Sequence, residues 1–278
     1  MHRKVELPSI VENVLSIISD VAKDFKMPFL IIGASARDIV MTEIYGLKPE
    51  RATKDIDLGV AVKSWNHFEK LKTSLLLDQA AKKTNVPHRI IIHGIKVDFI
   101  PFGGVEDQHG TITWPDSNGV KMSIVGFNET LKNSIELELK NGTLIKVANL
   151  AGLVVLKLIS WNDRPQERPQ DAEDIFYIMT HYFDAGGDQR IYDTSGENSD
   201  ICNIQDFTVE KAGSVLLGRD ISSMFSVKTC NLIRKIVTRE LQSSKSNLIR
   251  KVTTHGVKRD DCSKLLSALI TGLDAVKF

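Results

Sequence analysis

Apolar residues recur at helical spacing along residues 8–25, at Ile10, Val14, Ile17, Ile18 and Val21, and predict a helix started by Pro8-Ser9. The pattern then changes. Phe29-Leu30-Ile31-Ile32, bounded by Pro28 and Gly33, reads as a short buried strand, and Ala34 to Tyr45 as a helix. Asp55 to Val62 alternates with period two, a strand, and Trp65 to Lys83 is helical again. Arg89–His93 and Ile95–Ile100 are two strand-like runs split at Gly94, a hairpin pattern. Residues 103–119, rich in Gly, Asp, Pro and Asn, read as a loop. Strand-like runs return at Met122–Phe127, Ser134–Leu139 and Thr143–Val147, and helical spacing resumes at Asn149–Trp161 and Asp171–Tyr182. Residues 184–206 hold Gly186-Gly187 and Ser195-Gly196 and read as a linker. Residues 208–278 scatter Val215, Leu216, Ile221, Leu232, Ile233, Ile236, Leu265, Leu266 and Leu269 without alternation, as a small helical module would. The expected organisation is a core with its following helices over 1–183, a linker over 184–206 and a helical C-terminal module over 207–278.

Composition narrows the class. With 42% hydrophobic and 26% charged residues, the 278-residue chain has an ordinary globular balance, which argues against wholesale disorder. The net charge of +1 excludes a uniformly basic protein that coats nucleic acid, but it hides an asymmetry. Residues 205–278 carry 13 Lys+Arg against 7 Asp+Glu, a net of +6; residues 1–204 carry 23 against 28, a net of −5. Cys202, Cys230 and Cys262 are too few and too scattered for a disulfide framework or a zinc knuckle, which suits a reducing interior. The basic start Met1-His2-Arg3-Lys4 is followed by no apolar signal-peptide core, and no run approaches the ~20 apolar residues of a membrane span. A cytoplasmic location with no membrane partner is expected.

Three features carry candidate chemistry. Gly33-Ala34-Ser35 lies where a strand turns into a helix; free N–H groups there suit a phosphate, although small residues at such a turn also simply permit tight packing. Asp55 and Asp57 flank Ile56, so period two places both carboxylates on one strand face. That suits a hard cation such as Mg²⁺, or merely a solvated face. Asp98 sits in an otherwise apolar strand, where it either faces solvent or completes a metal site. His88, His93 and His109 form no ligand spacing, and Trp114 and Trp161 read as packing residues.

In this order and spacing the three features resemble the nucleotidyltransferase superfamily of the DNA polymerase β type, closest to the bacterial AbiEii toxin-like nucleotidyltransferases. The matching runs are Gly33-Ala34-Ser35-Ala36-Arg37-Asp38, Arg51-Ala52-Thr53-Lys54-Asp55-Ile56-Asp57-Leu58, Lys157 on a helix after the sheet, and Arg164 to Asp174. The likeness covers about residues 28–183. Ala34 stands where the family has Gly or Ser, and Gln170 replaces a usual basic residue, with Arg168 nearby. The resemblance implies an α+β fold: a polymerase β-type core of mixed sheet flanked by helices, followed by a helical C-terminal region. It implies transfer of an NMP from an NTP to an acceptor hydroxyl, with Mg²⁺ or Mn²⁺ as cofactor. By it, Asp55, Asp57 and Asp98 hold metal and Lys157 neutralises the triphosphate. Gly33, Ala34, Ser35 and Arg37 lie at the nucleotide, while Asp171 and Asp174 orient Lys157 or touch base or sugar. Expected partners are an NTP, an RNA (tRNA) end or protein as acceptor, and an antitoxin protein. A non-catalytic nucleotide-binding protein and an antibiotic-type small-molecule transferase on the same fold are the alternatives.

Overall fold

The computed structural model describes residues 2–48, 55–115, 119–165, 169–253 and 258–275. Arg51 to Lys54 of the quoted motif, and Arg168, lie outside the described residues. The chain divides into two compact units, Met1–Asn149 and Leu150–Phe278.

The first unit is a mixed sheet with helices. In chain order it holds β1 (Arg3–Val5), α1 (Ser9–Asp24), β2 (Phe29–Ile32), α2 (Gly33–Asp38), β3 (Asp55–Ala61), α3 (Trp65–Leu75) and β4 (Ala81–Lys83). There follow β5 (Arg89–Ile92), β6 (Ile95–Phe102), β7 (Thr111–Thr113), β8 (Lys121–Ser123), α4 (Phe127–Lys132), β9 (Ile135–Leu139) and β10 (Leu144–Val147). Eight strands form one sheet in the order β1-β9-β10-β2-β3-β6-β5-β4, and β7 with β8 makes a separate hairpin. The central strands β2, β3 and β6 are the most buried, because neighbours on both sides leave their backbones paired and their side chains covered: all four residues of β2 are buried. β3 runs antiparallel to β2 and parallel to β6, with Asp57 opposite Ile32 on one side and Asp98 on the other.

Several elements differ from the expected ones. The helix after β2 changes pitch: α2 gives way to a π-helical stretch, Ile39–Ile44. The helix expected to reach Lys83 ends at Leu75, since the apolar run continues into a Leu77 that faces solvent and a turn in which the Asp78 side chain accepts from the Ala80 N–H. Lys82 and Lys83 then form an exposed edge strand, where charge discourages further pairing. The run Met122–Phe127 yields only the short β8 before α4 starts at Phe127, and the loop 103–119 contains β7.

The second unit is helical. It comprises α5 (Leu150–Asp163), α6 (Pro169–His181), α7 (Asp188–Tyr192), α8 (Val209–Met224), α9 (Val227–Gln242), α10 (Asn247–Thr253) and α11 (Arg259–Ala275). α5 is buried on nearly every side, which its unbroken run Leu153-Val154-Val155-Leu156 requires. Thr208 and Ser226 cap α8 and α9 by accepting from the N–H groups of Lys211 and Thr229. Residues 184–206 lie inside this unit and are not an open connector. They hold a π-helical turn, α7 and a 3₁₀ turn, and they bury Ile191 and Ile201. Their Gly and Asp residues serve turns between short helices, with Gly186 at φ +81°.

Candidate active site

The carboxylates of the first unit gather on one sheet face. Residues 55 and 57 point the same way along β3, and the parallel register sets Asp98 of β6 beside Asp57. Further along this face Gly59 and Phe102 are covered by Phe127 of α4, so the acids occupy the end that this aromatic does not reach. Gly33 closes the arrangement from β2. Its φ is +67°, and a Cβ there would overlap Oδ2 of Asp57, so only glycine allows the strand-to-helix turn to lie against that carboxylate. The Ser35 hydroxyl donates back to the Ile32 carbonyl at 3.3 Å, and the buried Arg37 binds Asp38 through Nε at 2.8 Å, bracing the turn.

A residue the sequence reading passed over stands among the acids. Arg89 donates from Nε to Asp98 Oδ1 at 2.6 Å and from an NH2 group to Asp98 Oδ2 at 2.7 Å, a two-point fork. Its hydrogen bonds to Asp98, and then the charges of Asp98, Asp55 and Asp57, outweigh partial burial and hold the guanidinium above its ordinary value. The hairpin contained the signal. His93 and Gly94 both take positive φ, +49° and +82°, as a two-residue turn demands, and that turn pairs Ile92 with Ile95 and therefore Arg89 with Asp98.

Among the described residues, no three His, Cys, Asp or Glu side chains already stand as a metal cluster. The donor chemistry nonetheless suits a hard divalent cation: three carboxylates share a face, and a cationic group, the Arg89 fork, already stands among them. His88 lies 5.1 Å from the ring of Trp114, which also packs on Trp65 and Phe68.

The remaining candidates form a cluster of their own in the second unit. Lys157 of α5 is buried between two acids of α6, with Nζ 3.1 Å from Asp171 and 2.6 Å from Asp174. Burial alone pushes the ammonium down, and the two carboxylates outweigh it, so Lys157 is held above its ordinary value and stays charged. Asp171 and Asp174 reach one lysine because residues three apart share a helix face.

A mixed sheet that groups three acids on one face beside a glycine turn, followed by a helical unit, defines an α+β protein with a concentrated acidic site. The family described as nucleotidyl transferase AbiEii toxin, type IV TA system, matches residues 43–215. The chain belongs to this family, and it is a nucleotidyltransferase. Solved structures with a similar fold include the antibiotic-resistance factor ANT(2'')-Ia, at 14% identity over 61% of this chain and 82% of that one, with a TM-score of 0.36. A nucleotidyltransferase-like protein from Paracoccidioides brasiliensis shares 15% identity over 62% and 76%, with a TM-score of 0.35. The Thermotoga maritima CCA-adding enzyme, solved with tRNA, shares 12% over 96% and 81%, with a TM-score of 0.30. No curated protein matches this chain. Among the described residues no helix is long and apolar enough to cross a membrane.

Proposed function

We propose that this protein transfers an NMP from an NTP to an acceptor hydroxyl with the help of Mg²⁺ or Mn²⁺, and that it acts as the toxin of a toxin–antitoxin pair. The observation that carries the chemistry is the shared face of Asp55, Asp57 and Asp98 beside the Gly33 turn. Asp55, Asp57 and Asp98 would hold the cation, which when bound neutralises phosphate charge and makes the attacking hydroxyl more acidic. Gly33, Ala34 and Ser35 offer the phosphates a backbone without bulk, and Arg37, fixed by Asp38, keeps that turn in shape. Within the second unit Asp171 and Asp174 fix Lys157, the group to which the family resemblance assigns the triphosphate's counter-charge.

An RNA end is the acceptor class best supported by this chain. On the exposed side of α9 stand Lys228 and Lys235, while the helix's one acid, Glu240, is buried and accepts from Arg239, Ser246 and the Leu248 N–H. The test is incubation with Mg²⁺, each radiolabelled NTP in turn, and total tRNA or lysate. Label should pass to the RNA fraction and vanish in Asp55→Ala and Asp57→Ala. Label on protein would move the acceptor to a polypeptide. Tight NTP binding without transfer to any acceptor would favour the non-catalytic reading.

A further inference from the structure

Three carboxylates on neighbouring strands repel one another, because adjacent strands stand only ~4.8 Å apart. The sheet answers this before any metal arrives, since Arg89 reaches across from β5 and takes both oxygens of Asp98. The fork is not needed to hold the strand: β5 is already laddered to β6 on one side and to β4 on the other. Nor is Arg89 sealed in, as its side chain keeps 27% of its exposure while that of Asp98 keeps 12%. A charged group at the rim of the site, bound to a candidate metal ligand and near two more, does more than fasten an edge.

We propose that Arg89 is a positioning residue: it is the resident counter-cation of the Asp55–Asp57–Asp98 face, fixing the Asp98 carboxylate and lowering the affinity of that face for a divalent ion. This rests on the metal-dependent reading above. The same positive charge that quiets the three acids repels an incoming divalent ion. Cation uptake is therefore weak in the nucleotide-free protein and improves when phosphates bring negative charge of their own. Lys96, exposed and in register with Asp55, adds positive charge beside the same acids.

The test is Mn²⁺ binding to the full chain without nucleotide, followed by electron paramagnetic resonance and calorimetry, on the wild type, Arg89→Gln, Arg89→Lys and Asp57→Asn, with thermal melts of each. Removing a unit charge a few ångströms from a divalent ion in solvent-rich surroundings should tighten binding by about tenfold in Arg89→Gln. Arg89→Lys, which keeps the charge, should stay within about threefold of wild type by the same reasoning. A melt that confirms folding together with unchanged or weaker Mn²⁺ binding in Arg89→Gln overturns the proposal. So does an Arg89→Lys protein that matches Arg89→Gln. A different pattern marks failure of the metal reading itself: no variant binds Mn²⁺, or Asp57→Asn binds as well as wild type, and the counter-cation role then falls with it.

Discussion

Gly33 and Lys157 each meet more than one demand. Gly33 combines a left-handed φ with contact against a carboxylate, so Gly33→Ala meets backbone strain of about 1–2 kcal/mol as well as overlap with Asp57. We expect a drop of at least ~2 kcal/mol in denaturant unfolding, and weaker nucleotide binding by calorimetry. Lys157 has a different exposure to risk. Its raised pKa means that its stabilisation is complete below the ordinary lysine value of 10.5 and is lost only as pH climbs through the higher folded value, so it is constant across neutral pH. Lys157→Met leaves two buried carboxylates facing each other and should cost about 3–5 kcal/mol near pH 7. A thermal melt of that variant at pH 7 checks this. The acids were legible in the sequence because period two fixes their face. Arg89 was not, because its role depends on which residue lies across a hairpin, and a shift of one residue in the turn changes the partner.

At the scale of the element, the strongest constraint is the crossing of α8 and α11. Gly218 and Gly272 face each other there: a Cβ on Gly272 would overlap the Val215 carbonyl, and one on Gly218 the Leu269 carbonyl. In an exposed helix Gly→Ala gains about 1 kcal/mol, but here both obstacles are backbone and cannot swing aside. Gly272→Ala should therefore lower stability by about 3 kcal/mol, seen as a fall in melting temperature. A gain would mean that the crossing is looser than described. Central strands and long helices were readable from periodicity. The short pieces β1, β4 and β7 were not: three residues carry too little pattern, and their pairing is dictated by partners distant in sequence. Residues 184–206 misled for a related reason, since turn-forming residues mark a chain reversal equally well inside a packed unit and between two.

At the scale of the whole molecule, the basic surplus of residues 205–278 resolves into a surface. Arg219 pairs with Asp200 and Arg234 with Asp274, whereas Lys228 and Lys235 lie exposed on α9. The double variant Lys228→Glu, Lys235→Glu should leave the melting temperature nearly unchanged. It should weaken RNA binding across sequences and flatten its dependence on log salt by roughly two units, measured by filter binding at several ionic strengths. Deleting residues 207–278 is a poorer probe, since α8 and α9 pack on α5 in the same unit and their loss would open its core.

The edge strand β1 also shapes how the sheet is made. Arg3 to Val5 align with Leu137 to Leu139, so the earliest segment described waits for a partner about 130 residues downstream. At ordinary elongation rates of ~5–20 residues per second, that delay on the ribosome is on the order of ten seconds. Through it Val5 has no strand to lie on, and this rim of the sheet is completed only after the acid-bearing centre has been synthesised.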